Sequence, residues 1–469
     1  MNLETRDATK SAALRDIGCR VDAQGMCRWV EELLHSHSDV IRCGHYQSVF
    51  RCMDIQDQDV LIGSVGRLVG MRILVSSGGI RGEVDIHGEP VFTVTEDSEA
   101  RLASIPFSRV FALCNSLRDK LQELIEPNFY RVPLVGGVKS ILLSDEPQEI
   151  VNYYLPEIAL FGKGDRFSLF NAEHIPEGLP LPKGPQKEIY ALCPVDNIEQ
   201  CPGKDDYLAR MAVVLDKLES DFLQKIVVAR KCIVTPAQSF DKLGYTAYLV
   251  DRYFQEYFYL FRQGGAEYWT GISPEIIMKQ EGNLAMTKPL AGTMKKYDDP
   301  AVNEKNRQEL VSAPNYIAEH EHALNFMFDQ LKSADIGEVN IDKNKTVFET
   351  PYAFHLKSEI SVRLKERVSC FDLIGAIYPP ATIWGIPVDR TEHVLAETEP
   401  FKREYFTGVY GYWNYEGESD TALVIRSAKI EEGTVSLYAG GGIVKDANPD
   451  DEFEETVNKM RPLLSYFAG

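Results

Sequence analysis

The sequence predicts an α+β fold. Strand-like segments come in runs, and helical segments fall between the runs instead of alternating with them one for one, so a doubly wound parallel sheet is not expected. No internal repeat and no low-complexity segment interrupts this order.

Taken along the chain, residues 1–130 alternate short strand-like runs (60–63 and 71–75) with glycine-rich turns such as 76–79, and carry no assignable chemistry. The Pro- and Gly-rich segment 176–185 reads as a connector. Beyond 204, Leu208, Met211, Leu215, Leu218 and Phe222 repeat at helical spacing. That helix runs into 225–230, whose β-branched content predicts a buried strand. A strand pair surrounds 271–275, and one long helix is predicted over 301–332. Further strands are predicted near 355–360, 407–414, 421–429 and 434–439, with a closing helix from about 450 to 465.

The 469 residues, 44% hydrophobic and 26% charged, have ordinary soluble composition. The net charge of −20 argues against a nucleic-acid partner, which needs basic surface, and leaves any anionic ligand to local Arg and Lys. Nine cysteines, odd in number and without a C-x-x-C pair, suggest reduced core thiols and neither a disulfide framework nor a zinc site. No apolar run approaches the ~18 residues that span a bilayer. The start, MNLETRDATKSAALRD, lacks the apolar core of a secretory signal. A cytoplasmic protein without membrane partners is expected; the oligomeric state stays open, with a monomer favoured.

The densest chemistry lies at the end. Gly440, Gly441 and Gly442 follow an apolar strand, where missing Cβ atoms let backbone N–H groups crowd an anion. Glu452 and Glu455 stand three apart in a helical pattern and Lys459 four further on, so all three share one face. An anion cradle beside two carboxylates is contradictory without a divalent cation between them. The pattern therefore asks for a small carboxylate or phosphate ligand bridged by Mg²⁺.

The ordered set KIVVAR at 225–230, GISPE at 271–275, TKPLAGT at 287–293, EH at 319–320, HLKS at 355–358, the 379–387 segment, Arg426, the glycines after Ala439, and Glu452, Glu455 and Lys459 resembles the chorismate-utilising enzymes. That family includes anthranilate, aminodeoxychorismate, isochorismate and salicylate synthases. The likeness runs from about 200 to 466, joined by the family-like 155–161. It implies a single large domain of two packed antiparallel sheets with helices outside, residues 1–200 being its divergent part and 201–469 the chorismate-binding core. It also implies Mg²⁺-dependent attack of a nucleophile on the chorismate ring, with loss of the C4 hydroxyl.

By the same resemblance, Lys225 is the general base and Glu275 a protonated general acid. A desolvated lysine and a buried carboxyl shift their pKa values in the opposite directions those tasks require. Glu319 and Glu455 resemble the metal ligands, with Glu452 beside them; Tyr316 stands where many relatives carry a helper acid. Arg426 and Lys459 are the expected partners of substrate carboxylates, Arg426 through its bidentate fork. Gly292, Thr293, Gly441 and Gly442 are expected to supply donors, and His355 and Phe406 to contact the ring.

The nucleophile is read as water. Lys225 and Leu290 resemble the water-using branch, where ammonia users carry Gln and Ile, and no glutaminase domain with a nucleophilic Cys is present. Isochorismate is then the first product. Thr382, Ser358 and the turn of Gly385, Ile386 and Pro387 look like salicylate synthases, which go on to eliminate pyruvate. Phe406 looks like the plain isochorismate synthases, and Trp384 with Val388, Asp389 and Arg390 matches neither. The expectation leans to salicylate synthase, with isochorismate synthase as the alternative. Lys288, in place of a common acid, and Tyr316 keep an inert chorismate binder open, and an ammonia-using synthase is the third reading.

Overall fold

Strands from the two ends of the chain pair with one another. Tyr46–Met53 lies antiparallel to Tyr257–Gln263, and Leu134–Val138 to Val409–Trp413. The computed structural model describes residues 12–18, 21–53, 59–76, 79–97, 107–140, 148–163, 166–172, 175, 179–182, 191–253, 257–350 and 353–468. Among these, thirteen strands build one sheet and twelve the other. The ladders are antiparallel apart from a two-residue parallel contact between Cys193–Cys201 and Phe467–Ala468.

The sheets meet through aromatic side chains. Phe50 and Phe261 of the first sheet lie against Tyr410 of the second, and Tyr410 donates its hydroxyl to Ser48 at 2.8 Å. Such rings bury a large apolar area, and the Tyr410 hydroxyl finds its partner in Ser48. Helices flank the sheets, and none among the described residues is long and apolar enough to cross a membrane.

Several elements follow the sequence reading. Runs 60–63 and 71–75 fall inside Asp59–Val65 and Val69–Ser76. The strand Lys225–Pro236 and the helix Pro449–Leu464 stand as expected, the helix N-capped by Asn448. The helix Lys204–Glu219 ends before Phe222, which is exposed. The connector at 176–185 lies mostly outside the described residues.

Four expectations are corrected. The long helix over 301–332 is two helices, Pro300–Ser312 and Pro314–Ser333. Pro314 lacks an N–H and pushes Ala313 out of the helical region, to ψ 129°. The run 421–429 is two strands, Glu418–Leu423 and Ser427–Glu431, in different sheets. The pair around 271–275 is likewise divided, with Tyr268–Ser273 in one sheet and Ile276–Glu281 in the other. The glycines at 440–442 do not follow their strand but lie within it. Thr434–Val444 runs through them, with Gly440, Gly441 and Gly442 opposite Ala229, Val228 and Val227.

Candidate active site

The two places where the chain passes from one sheet to the other lie side by side. Ile272 N–H donates to the Arg426 carbonyl at 3.2 Å, and Leu423 N–H to the Glu275 carbonyl at 3.0 Å. Glu275 occupies the first crossing and Arg426 the second, Arg426 in the left-handed region at φ 50°. A non-glycine residue there is strained and persists where its surroundings over-determine it. Both line a cavity of about 970 Å³.

Lys225, Thr293, Glu319, His355, Thr382, Phe406, Gly442, Glu452, Glu455 and Lys459 line the same cavity. Burial lowers the Lys225 amine from its ordinary value, against the opposing fields of Glu319, Glu275 and Glu455. Burial pushes the Glu275 carboxyl up to about 7, although the hydrogen bond from Thr382 and the charges of Lys225, Lys459 and Arg426 pull it down. An amine biased toward neutrality thus faces the same space as an acid biased toward protonation. Such a pair can take a proton from one group and deliver one to another.

His355 is buried, and burial with the nearby Arg426 and Lys459 drives its pKa down to about 3, so the ring is neutral. Its Nδ1 lies 2.9 Å from Thr293 Oγ1. Phe406 is buried and stacks on Tyr438 at 5.4 Å between centroids.

One face of the helix Pro449–Leu464 carries Glu452, Glu455 and Lys459 to the cavity, as the spacing requires. Lys459 donates to Glu455 at 2.5 Å and to the Gly440 carbonyl at 2.8 Å. Its charge holds Glu455 below the usual carboxylate value, whereas burial and the charge of Glu455 push Glu452 up to about 7. Glu452 Oε2 is buried without a hydrogen-bond partner among the described residues. A buried carboxylate oxygen lacking a donor, with two more carboxylates facing the same space, fits a hard cation such as Mg²⁺. The three do not form a closed cluster. The described ligand atoms that do gather within 4.8 Å belong to Cys43, His87 and Glu157, elsewhere. There Glu157 accepts from Arg42 and Cys43 N–H at 3.0 and 2.9 Å, and His87 Nδ1 meets the Arg67 carbonyl at 3.0 Å. That cluster knits a turn to the sheets.

Gly442 lines the cavity for a steric reason: a Cβ there would stand 3.2 Å from Lys225 Cε. Gly292 and Gly441 do not line it. Gly441 faces the closing helix, where a Cβ would meet Glu452 and Thr456, and Gly292, at φ +76°, is the extra residue of a bulge opposite His355. Ser358 is buried away from the cavity lining, 2.7 Å from His320 Nε2, while His320 Nδ1 meets the Ala291 carbonyl at 3.1 Å. His320 thereby pins the Pro314–Ser333 helix to the strands and leaves its neighbour Glu319 turned to the cavity. Trp384 is fully buried among apolar side chains.

The sequence reading missed His322, Asn325 and Phe326, which line the cavity with Tyr316 and Glu319. Their helical spacing from Glu319 was the available signal. It also missed the support beneath Lys225 and Thr382. Arg403 pairs with Glu399 and donates to the Ile383 carbonyl at 3.0 Å and the Val227 carbonyl at 2.6 Å, while Glu399 accepts from Ala229 N–H at 2.7 Å.

The chain is similar to known proteins in sequence and in fold. Residues 174–465 match the profile described as chorismate binding enzyme. Anthranilate synthase component 1 of Neisseria meningitidis is 31% identical over 195 residues, covering 41% of this chain and 40% of that protein. The chain thus matches about two fifths of that relative's length. Isochorismate synthase MenF of Bacillus subtilis is 27% identical over 310 residues, 64% of each chain. In fold, the chain is similar to the menaquinone-specific isochorismate synthase MenF of Escherichia coli, with TM-score 0.71, 19% identity and coverage of 97% and 95%. It is also similar to DhbC of Bacillus anthracis, described as a 2,3-dihydroxybenzoate-specific isochorismate synthase, with TM-score 0.68, 20% identity and coverage of 93% and 98%.

Proposed function

The chain belongs to the chorismate binding enzyme family, and from that premise we propose that it adds water to the ring of chorismate and releases isochorismate. The observation that carries this reading is the opposed bias of Lys225 and Glu275, both lining one cavity. Lys225, as a neutral amine, takes a proton from water as its oxygen bonds to the ring. The ring double bonds shift, the C4–oxygen bond breaks, and Glu275 hands its proton to the departing hydroxyl. One water enters and one leaves, so the reaction is an isomerisation, and the two side chains reset by exchanging protons with solvent.

Arg426 meets a substrate carboxylate through its planar fork, and Lys459 adds a second positive charge beside it. Glu319, Glu452 and Glu455 would hold Mg²⁺, which when bound neutralises carboxylate charge and orients the ring. Phe406 supplies an apolar wall.

A second reading, elimination of pyruvate from isochorismate to leave salicylate, is favoured by Thr382, which lines the cavity while bonded to Glu275. That step is an intramolecular hydrogen transfer and depends on how the pocket holds the enolpyruvyl side chain. Product analysis by mass, with chorismate and Mg²⁺ and without ammonia, tests both. Isochorismate alone supports the first reading, and salicylate with pyruvate the second. An aminated product with ammonium salts, or no turnover at all, would overturn the water-addition proposal.

A further inference from the structure

The extra residue Gly292 in the strand Leu290–Lys295 shifts the ladder so that Ala291 pairs with Leu356 and Thr293 with His355. A bulge of this kind re-aims one side chain, and here it brings the Thr293 hydroxyl to 2.9 Å from His355 Nδ1. The other ring nitrogen, Nε2, is buried and has no hydrogen-bond partner among the described residues. His355 as a whole is 4% exposed and lines the cavity.

We propose that Thr293 is a positioning residue that acts through His355: its hydroxyl donates to Nδ1, holds the ring proton on Nε2, and makes a neutral imidazole a hydrogen-bond donor to an oxygen of the bound substrate. The hydrogen bond made by one imidazole nitrogen decides which nitrogen carries the proton. Thr293 is exposed, so its oxygen can accept from water while its proton points inward. The opposite tautomer would spend the ring proton on Thr293 and leave only a lone pair on the buried Nε2. Arg426 and Lys459 act on the ring as positive charges, and a substrate carboxylate drawn to them only accepts, so it would be repelled by an Nε2 lone pair and held by an Nε2 proton. A ring held neutral by burial and by those cations keeps a single proton, which makes its location decisive.

The inference deepens the chorismate reading, but its first test needs no chorismate. In the full chain labelled with ¹⁵N-histidine, assigned with His355→Gln, His355 should show a protonated Nε2 and an accepting Nδ1 near neutral pH. Thr293→Val should lose that preference, and Thr293→Ser should keep it. In turnover, Thr293→Val should lose roughly tenfold in kcat/KM, with recovery in Thr293→Ser. An Nδ1-protonated ring in the parent, an unchanged tautomer in Thr293→Val, or parental kcat/KM despite a shifted tautomer would each overturn the proposal. If the tautomer responds as described and the parent leaves chorismate untouched, the device stands and the chorismate reading falls.

Discussion

Thr382 donates its hydroxyl to Oε1 of Glu275 across 2.7 Å, joining a loop residue to a carboxyl at the crossing between the two sheets. A donor to a carboxylate favours its charged form, so this bond restrains a pKa that burial has pushed up to about 7.

Removing that bond should move the pH profile. Glu275 must be protonated to act as the acid, so activity falls as pH rises through its pKa. In Thr382→Val the pKa climbs further, and the alkaline fall in kcat/KM should shift to higher pH. An unmoved alkaline limb would refute either the bond or the acid. If pyruvate elimination follows water addition, Thr382→Ala should also accumulate isochorismate at the expense of salicylate, and an unchanged ratio would remove Thr382 as its determinant.

Lys225→Ala should abolish the base while leaving the cavity and its cations in place. A loss of about 10²–10⁴-fold in kcat is expected for a general base, with chorismate binding retained in calorimetry. Near-parental product formation would exclude Lys225 from the chemistry.

Gly442→Ala probes the packing behind that amine. The added Cβ would sit 3.2 Å from Cε and 3.6 Å from Nζ of Lys225, close enough to shift the flexible end. A loss on the order of 10–100-fold in kcat is expected from sub-ångström displacement of a catalytic group, with little change in Tm. Unchanged kcat would mean that the amine has slack.

Glu452 should make metal-free folding pH-dependent. Its folded-state pKa of about 7 stands above the ordinary 4.5, so between those values the folded chain binds more protons than the unfolded one. Stability contributed by this group is therefore greatest below 4.5 and declines as pH rises toward 7. In chelator at about pH 8, Glu452→Gln should be more stable than the parent by about 1–3 kcal/mol in urea denaturation, the gap closing near pH 5. Mg²⁺ should then stabilise the parent more than the variant. Equal Mg²⁺ responses would remove Glu452 from the metal site.

Arg403→Ala should cost about 3–5 kcal/mol, because it leaves Glu399 buried without its cation. Both side chains of the pair are 0% exposed. A loss below about 1 kcal/mol in denaturant titration would show that water replaces the guanidinium.

Much of this was legible in the chain because it is local. Glu452, Glu455 and Lys459 share a face by helical geometry alone, and the β-branched run after Lys225 marks its strand without outside help. Pro314 could also have been read, since a proline after thirteen helical residues announces a break. The apolar run from Thr421 to Ile425 could not, because nothing within it says that Leu423 and Ser427 find partners in different sheets.

The sequence by itself determined most element types and the helical face of carboxylates, and its resemblance to a family singled out Lys225 and Glu275 as the candidate amine and acid. Only the tertiary structure decided that Glu275 and Arg426 stand at adjoining sheet crossings, that Thr382 reaches an acid 107 residues away, and that a bulge turns Thr293 toward His355. Periodicity reports how a segment relates to its own axis. Which strand pairs with which, and where the chain leaves one sheet for another, depends on burying the whole core at once, and no short window carries that sum.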